Sequence, residues 1–191
     1  MTRAFADIAF TPTVRKIQKE QGSADAYAKF LSPEVQGGDK ITAREAEFIE
    51  QRDGFYQATI SETGWPYVQF RGGPIGFLKV IDSKTIAYAD FRGNRQYVSV
   101  GNLTTQNKIA LILMDYPNRR RLKIWGRTEL IDISDDPAMV ETLHDAAYPA
   151  KPERSVIISV EAFDWNCPAH IPQRFTVQEL EALGVIRTES Q

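Results

Sequence analysis

The chain has 191 residues, 42% of them hydrophobic, and a net charge of −2, which suits one sizeable core and argues against a dedicated nucleic-acid binder. Its single cysteine, Cys167, excludes an internal disulfide and a cysteine-rich zinc site, and its two histidines, His144 and His170, lie far apart, so no metal is expected. The longest apolar run, "IALILM", is far short of a bilayer span and the first residues lack the layout of a secretory signal, so a cytoplasmic protein with no membrane contact is expected.

Residues 1–40 read as a peripheral helical extension. "TVRKIQKEQGSADAYAKFL" spaces Val14, Ile17, Tyr27, Phe30 and Leu31 as helices do, with a break at Gly22 and Ser23. Residues 41–191 form the main domain. Thr42 and Glu45 have capping-box spacing, which predicts a short helix over "TAREAEFIEQRD". The pattern then turns to β: "FYQATI", "PYVQFR", "GFLKVI", "TIAYADF", "IALILMD", "RLKIWGRTELIDI" and "SVIISVEAF" are rich in β-branched and aromatic residues, separated by turn chemistry such as "SETGWP", "DSK" and "DYPNR". Short turns between the first four predict antiparallel hairpins. Several strands are apolar nearly throughout and need cover on both faces. A closed or partly closed barrel with helices outside, or a sheet buried in a dimer, supplies it. Further helices are predicted at residues 94–106, at 136–147 behind Asp135, Asp136 and Pro137, and from Thr176 to Gly184.

Three clusters offer chemistry. In "DFRGNRQYVSVGNL" a strand ends, turns at Gly93 and Asn94, and resumes as a helix whose mouth carries Arg92, Asn94 and Arg95. Unpaired amides and the helix dipole make that mouth a seat for a phosphate; the commoner local arrangement is Asn94 capping the helix with both arginines in solvent, and local sequence alone does not decide between them. In "GWPYVQFRGGP" strand alternation sends Tyr67, Gln69 and Arg71 to one face and Val68 and Phe70 to the other. Gly72 and Gly73 either leave bare backbone for a planar or anionic group or mark a bend. In "NRRRLKIWGR" Arg119, Arg121 and Lys123 share a face opposite Arg120, Leu122 and Ile124, either as a solvated strand end or as a basic wall facing the other two clusters. There is no Ser-His-Asp set, Walker loop or dinucleotide fingerprint.

These clusters, in this order, resemble the pyridoxamine 5'-phosphate oxidase-like family of FMN-binding split-barrel proteins. The resemblance runs from "FIEQRDGFYQATISETGWPYVQFRGG" through "IAYADFRGNRQYVSVGNLTTQNKIALILMD" and "RLKIWGR" to "VEAFDWNCPAHIPQRF". It implies a mainly β, α+β fold: a six- to seven-stranded antiparallel split β-barrel with peripheral helices, paired as a homodimer with FMN at the interface. It also implies a flavin-dependent oxidoreductase acting on a small-molecule redox substrate. Carried over, Gln69, Phe70 and Arg71 fall on the strand lining the flavin, and Tyr88 and Ala89 on its neighbour. Asn94 and Arg95 fall where a basic pair holds the phosphate, although one member of that pair is here Asn. Arg121 takes the place of a polar residue reaching the isoalloxazine. Trp165 and Arg174 match a late tryptophan and arginine expected to serve the neighbouring subunit's flavin. The substrate-binding lysine of the named oxidase is replaced by Pro74, and its late arginine and histidine by His170 and Pro172, which points away from pyridoxamine phosphate as substrate. Rival readings of the chain are a non-catalytic flavin carrier or sensor, or a barrel that binds deazaflavin F420 or haem, as relatives do; His170 is the one histidine near the implied pocket and is read as part of the substrate pocket.

Overall fold

The computed structural model describes residues 1–165 and 167–186. Among the described residues there are seven strands: β1 (Gly54–Ile60), β2 (Pro66–Gly72), β3 (Lys79–Asp82), β4 (Thr85–Phe91), β5 (Lys108–Asp115), β6 (Arg120–Asp132) and β7 (Pro152–Trp165). The helices are α1 (Arg3–Ala9), α2 (Pro12–Glu20), α3 (Ala24–Ala28), α4 (Ala43–Glu50), α5 (Val98–Thr105), α6 (Pro137–Leu143) and α7 (Val177–Ala182).

One antiparallel sheet contains all seven strands in the order β2-β1-β5-β6-β7-β4-β3. It curls on itself without closing, which is a split barrel. Alternation puts Phe55 and Gln57 of β1, Leu111 and Leu113 of β5, and Leu122 and Ile124 of β6 inside, all at most 1% exposed. Tyr88 on β4 donates its hydroxyl to Gln57 Oε1 at 2.5 Å, a bond across the barrel interior between strands that do not pair.

The expected hairpin between the second and third strands does not form, since β2 and β3 are the two edges of the sheet. Residues 73–78 instead cross the end of the barrel. The amides of Gly73 and Gly76 donate to Asp53 and Arg52 carbonyls, each at 3.0 Å, while Phe77 and Leu78 turn into the core and Phe77 stacks on Phe55 at 5.4 Å. Gly73 is required for this packing, because a Cβ there would meet the Phe77 ring at 2.7 Å. Of the two readings of the glycine pair, Gly73 fits the bend, and aromatic carbon fills the space beside it.

The capping box of α4 forms as expected. Glu45 accepts from the Thr42 amide at 3.2 Å and from its hydroxyl, and its other oxygen accepts from Trp165 Nε1 at 2.7 Å. Burial alone would raise the Glu45 carboxyl, but these bonds outweigh it and hold its pKa below the ordinary glutamate value. Helix α5 starts at Val98, later than predicted, because Arg95 and Tyr97 occupy left-handed backbone conformations at φ 62° and 53°. Helix α6 is capped by Asp136 and packs Leu143 against Ala87 and Ala89. Helix α1 lies on the outside of β6 and β7, with Phe5 stacked on Trp125 at 4.7 Å. Beyond its reach, the outer face of β1, β2 and β5 exposes Tyr56, Val68, Phe70 and Ile112. No helix among the described residues is long and apolar enough to cross a membrane, and no cluster of three or more His, Cys, Asp or Glu side chains there is arranged to hold a metal ion.

Candidate functional site

The alternation of β2 aims Tyr67, Gln69 and Arg71 at the open seam of the barrel, opposite the end of β4. There they join Asp90 and Phe91, the loop at 93–97, the first turn of α5, and Glu153 and Arg154 from the start of β7. Together these enclose a concavity of about 190 Å³. Asp90 is its electrostatic centre. It is only 4% exposed, accepts from Arg71 Nη1 at 2.7 Å on one oxygen, and accepts from Arg154 Nη1 at 2.8 Å on the other. Arg154 faces Asp90 directly in the β4–β7 register, whereas Arg71 reaches it across the seam, where no ladder joins β2 to β4.

The rest of the lining is polar and held in place. Ser99 donates to Gln69 Oε1 at 3.0 Å. Asn94 accepts from the Gln96 amide at 3.1 Å, so it shapes the turn before the helix and does not cap the helix. Tyr97, in the cap position of α5, donates to Glu153 Oε1 at 3.2 Å, and its ring lies 5.4 Å from the Arg154 guanidinium. Arg92 is drawn to Glu153 at 3.6 Å, while Arg95 stands exposed. The lining thus carries Arg71, Arg95 and Arg154 against Asp90 and Glu153, a positive excess. The first-turn amides of α5 add partial positive charge. Arg71 Nε is buried with no hydrogen-bond partner, a donor left unsatisfied by the protein's own groups.

Gln69, Arg71, Asn94 and Arg95 are therefore brought together, and the other residues singled out by sequence lie elsewhere. The Tyr88 side chain is inside the core, where burial pushes its phenol pKa up, and Ala89 packs on α6. Both border an adjoining concavity of about 250 Å³ that shares Arg71 and Asp90 with the first. Phe70 points outward, edge-on to Tyr56 at 5.4 Å. Arg121 lies on the same outer side, beside Met114 in register. Trp165 ends β7, with the Arg44 and Arg120 guanidiniums 4.7 and 5.0 Å from its ring. From Arg154 it is separated by roughly 36 Å of strand at about 3.3 Å per residue. Arg174 covers Tyr116 at 5.1 Å, and His170 sits on an exposed turn with φ 64°. Within one chain these last four do not reach the Asp90 cluster's concavity.

Asp90, Glu153, Arg154, Tyr97 and Ser99 were not singled out by sequence reasoning. The available signal was Asp90 itself, a carboxylate inside the otherwise apolar strand "TIAYADF", since a buried charge requires partners.

A family model described as pyridoxamine 5'-phosphate oxidase matches residues 41–165. Among solved structures, a histidine-to-alanine form of HupZ from Group A Streptococcus is 17% identical, with 66% of this chain and 99% of that chain covered at a TM-score of 0.54. A candidate pyridoxamine 5'-phosphate oxidase from Lactobacillus delbrueckii is 20% identical, with 66% and 94% covered at a TM-score of 0.51. At these identities the structural likeness speaks to the fold. No curated protein sequence matches the chain.

Proposed function

The chain belongs to the pyridoxamine 5'-phosphate oxidase family, and from that premise we propose that it binds FMN as a homodimer and acts as a flavin-dependent oxidoreductase on a small molecule other than pyridoxamine phosphate. The observation that carries the proposal is the convergence of Gln69, Arg71, Asn94 and Arg95 with the first turn of α5 on one positively charged concavity. The phosphate of FMN carries nearly two negative charges, and guanidinium forks and helix amides are the groups that meet it best. The spare Arg71 Nε donor supports this fit.

At about 190 Å³ the concavity is smaller than the roughly 300–1,000 Å³ of pockets that enclose drug-sized ligands. It suits the phosphate and the adjoining sugar-alcohol chain, so the ring system extends past it, toward the adjoining concavity bordered by Phe70, Tyr88 and Ala89. A partner chain then completes the site with Arg121, Trp165 and Arg174, and with His170 as a pocket wall. The exposed apolar side chains Tyr56, Val68, Phe70 and Ile112 supply the contact surface for that partner. Bound flavin supplies hydride or electron transfer. The chain's own groups fix the phosphate, exclude water from the ring and place donors where negative charge accumulates on reduction.

A second reading, a flavin carrier or sensor without turnover, draws support from Asp90, which is committed to two arginines and offers no free acid or base to a substrate. Purified protein should be yellow, release FMN on denaturation, and melt at a higher temperature with added FMN. Bleaching by NADH or NADPH without oxygen favours the oxidoreductase. A colourless protein indifferent to FMN contradicts flavin binding, and an extracted mass of F420 or haem replaces FMN as cofactor.

A further inference from the structure

We infer that Asp90 is the positioning residue of this site and that Arg154, held by it opposite Arg71, is the second guanidinium that takes the terminal phosphate of the flavin nucleotide. The inference rests on the proposal that the concavity holds FMN.

A carboxylate as buried as Asp90 is unfavourable unless paired, and one arginine would pair it. Two are present, one per oxygen, from strands that share no ladder with each other. Two guanidiniums repel at close range, so the carboxylate between them is what allows both to stand at the same wall. Each guanidinium has five N–H donors and gives one to Asp90. The triad retains a net positive charge.

Both arginines are also fixed. Their side chains are 17% and 11% exposed, and Arg154 is further held by the Tyr97 ring at 5.4 Å and by Glu153 at 3.7 Å. A free arginine loses rotamer freedom when it grips an anion; these two have lost it already, which favours binding. Arg95, exposed and without a side-chain hydrogen bond among the described residues, is the flexible third member of the wall.

The test uses the full chain, with dissociation constants for FMN and riboflavin measured by flavin fluorescence. The ratio of the two isolates the phosphate. Arg154→Gln should lower the wild-type preference for FMN over riboflavin by about tenfold or more, the scale of a charge-assisted hydrogen bond, with FMN binding weakened far more than riboflavin binding. Arg154→Lys, with the charge kept but the fork lost, should fall between. Asp90→Asn separates positioning from charge: if Asp90 positions the arginines, FMN binding weakens and Asp90→Glu restores part of it. If Asp90 is only a countercharge, its removal tightens FMN binding, and the inference is overturned.

An unchanged ratio in Arg154→Gln overturns the role of Arg154, and this variant with Arg154→Lys decides the matter should Asp90→Asn not fold. Inorganic phosphate at constant ionic strength is the control for the flavin reading. If wild type binds neither flavin but is stabilised by phosphate, and Arg154→Gln abolishes that stabilisation, the arginine pair stands and the FMN assignment falls. If phosphate has no effect either, the pair falls too.

Discussion

The two faces of β2 are one residue out of phase and have little else in common. Gln69 and Arg71 enter a charged concavity in which side chains are fixed by hydrogen bonds to residues far along the chain. Val68 and Phe70 enter an apolar outer surface on which they are 62% and 57% exposed, with contacts mainly to adjacent strands. The buried carboxylate of the first face finds both its partners within one chain, while the second exposes large apolar side chains. Under the proposed function, a strand at the edge of the sheet would serve a ligand on one side and a partner chain on the other.

The comparison breaks most visibly on the apolar side. Phe70→Glu places a charge among Tyr56, Val68 and Ile112, and burial of an unpaired charge is unfavourable by about 3–5 kcal/mol. In the proposed homodimer the dissociation constant should therefore rise by at least about a hundredfold in sedimentation analysis, with the monomer still folded. A wild-type protein already monomeric at micromolar concentration would remove the contrast between the faces. On the charged side, Arg71→Ala should weaken FMN binding by roughly 10- to 100-fold, as loss of one or more charge-assisted bonds predicts, without any change in sedimentation.

Two smaller effects sharpen the contrast by probing positions off both faces. Tyr88→Phe leaves the buried Gln57 Oε1 without its donor and should lower unfolding stability by about 1–3 kcal/mol in urea titrations, with oligomeric state unchanged. Glu45→Gln should show a pH-dependent deficit. The folded-state pKa of Glu45 lies below its ordinary 4.5, so its contribution is full above that value and is lost as pH falls through the lower, folded one. Denaturant midpoints of wild type and variant should differ at neutral pH and converge in acid. A constant gap across that range would contradict the assignment.

The strands were legible because their signal is local. "TIAYADF" and "IALILMD" announce themselves by branching and apolarity, and Thr42 with Glu45 marks the start of α4 within four residues. The alternation that sorts Arg71 from Phe70 is equally local. What was not legible depends on which distant segments meet. Arg154 is 64 positions from Asp90, and Glu45 is 120 from Trp165. No spacing rule connects either pair, since only the completed register brings them together. The separation of β2 from β3 failed to show for a related reason. A short link suggests a hairpin, and only the burial of Phe77 and Leu78 reveals that this link spans the barrel end.

The long strand β7 pairs with β4 through its first half and with β6 along most of its length. One element therefore carries Arg154 near its beginning and Trp165 at its end. Its central amides should be among the last to exchange with deuterated solvent, and opening of the barrel should release both ends in a single cooperative event. Local fraying of the loop at 93–97 would then leave the tryptophan end intact, whereas loss of the central strand would dismantle both at once.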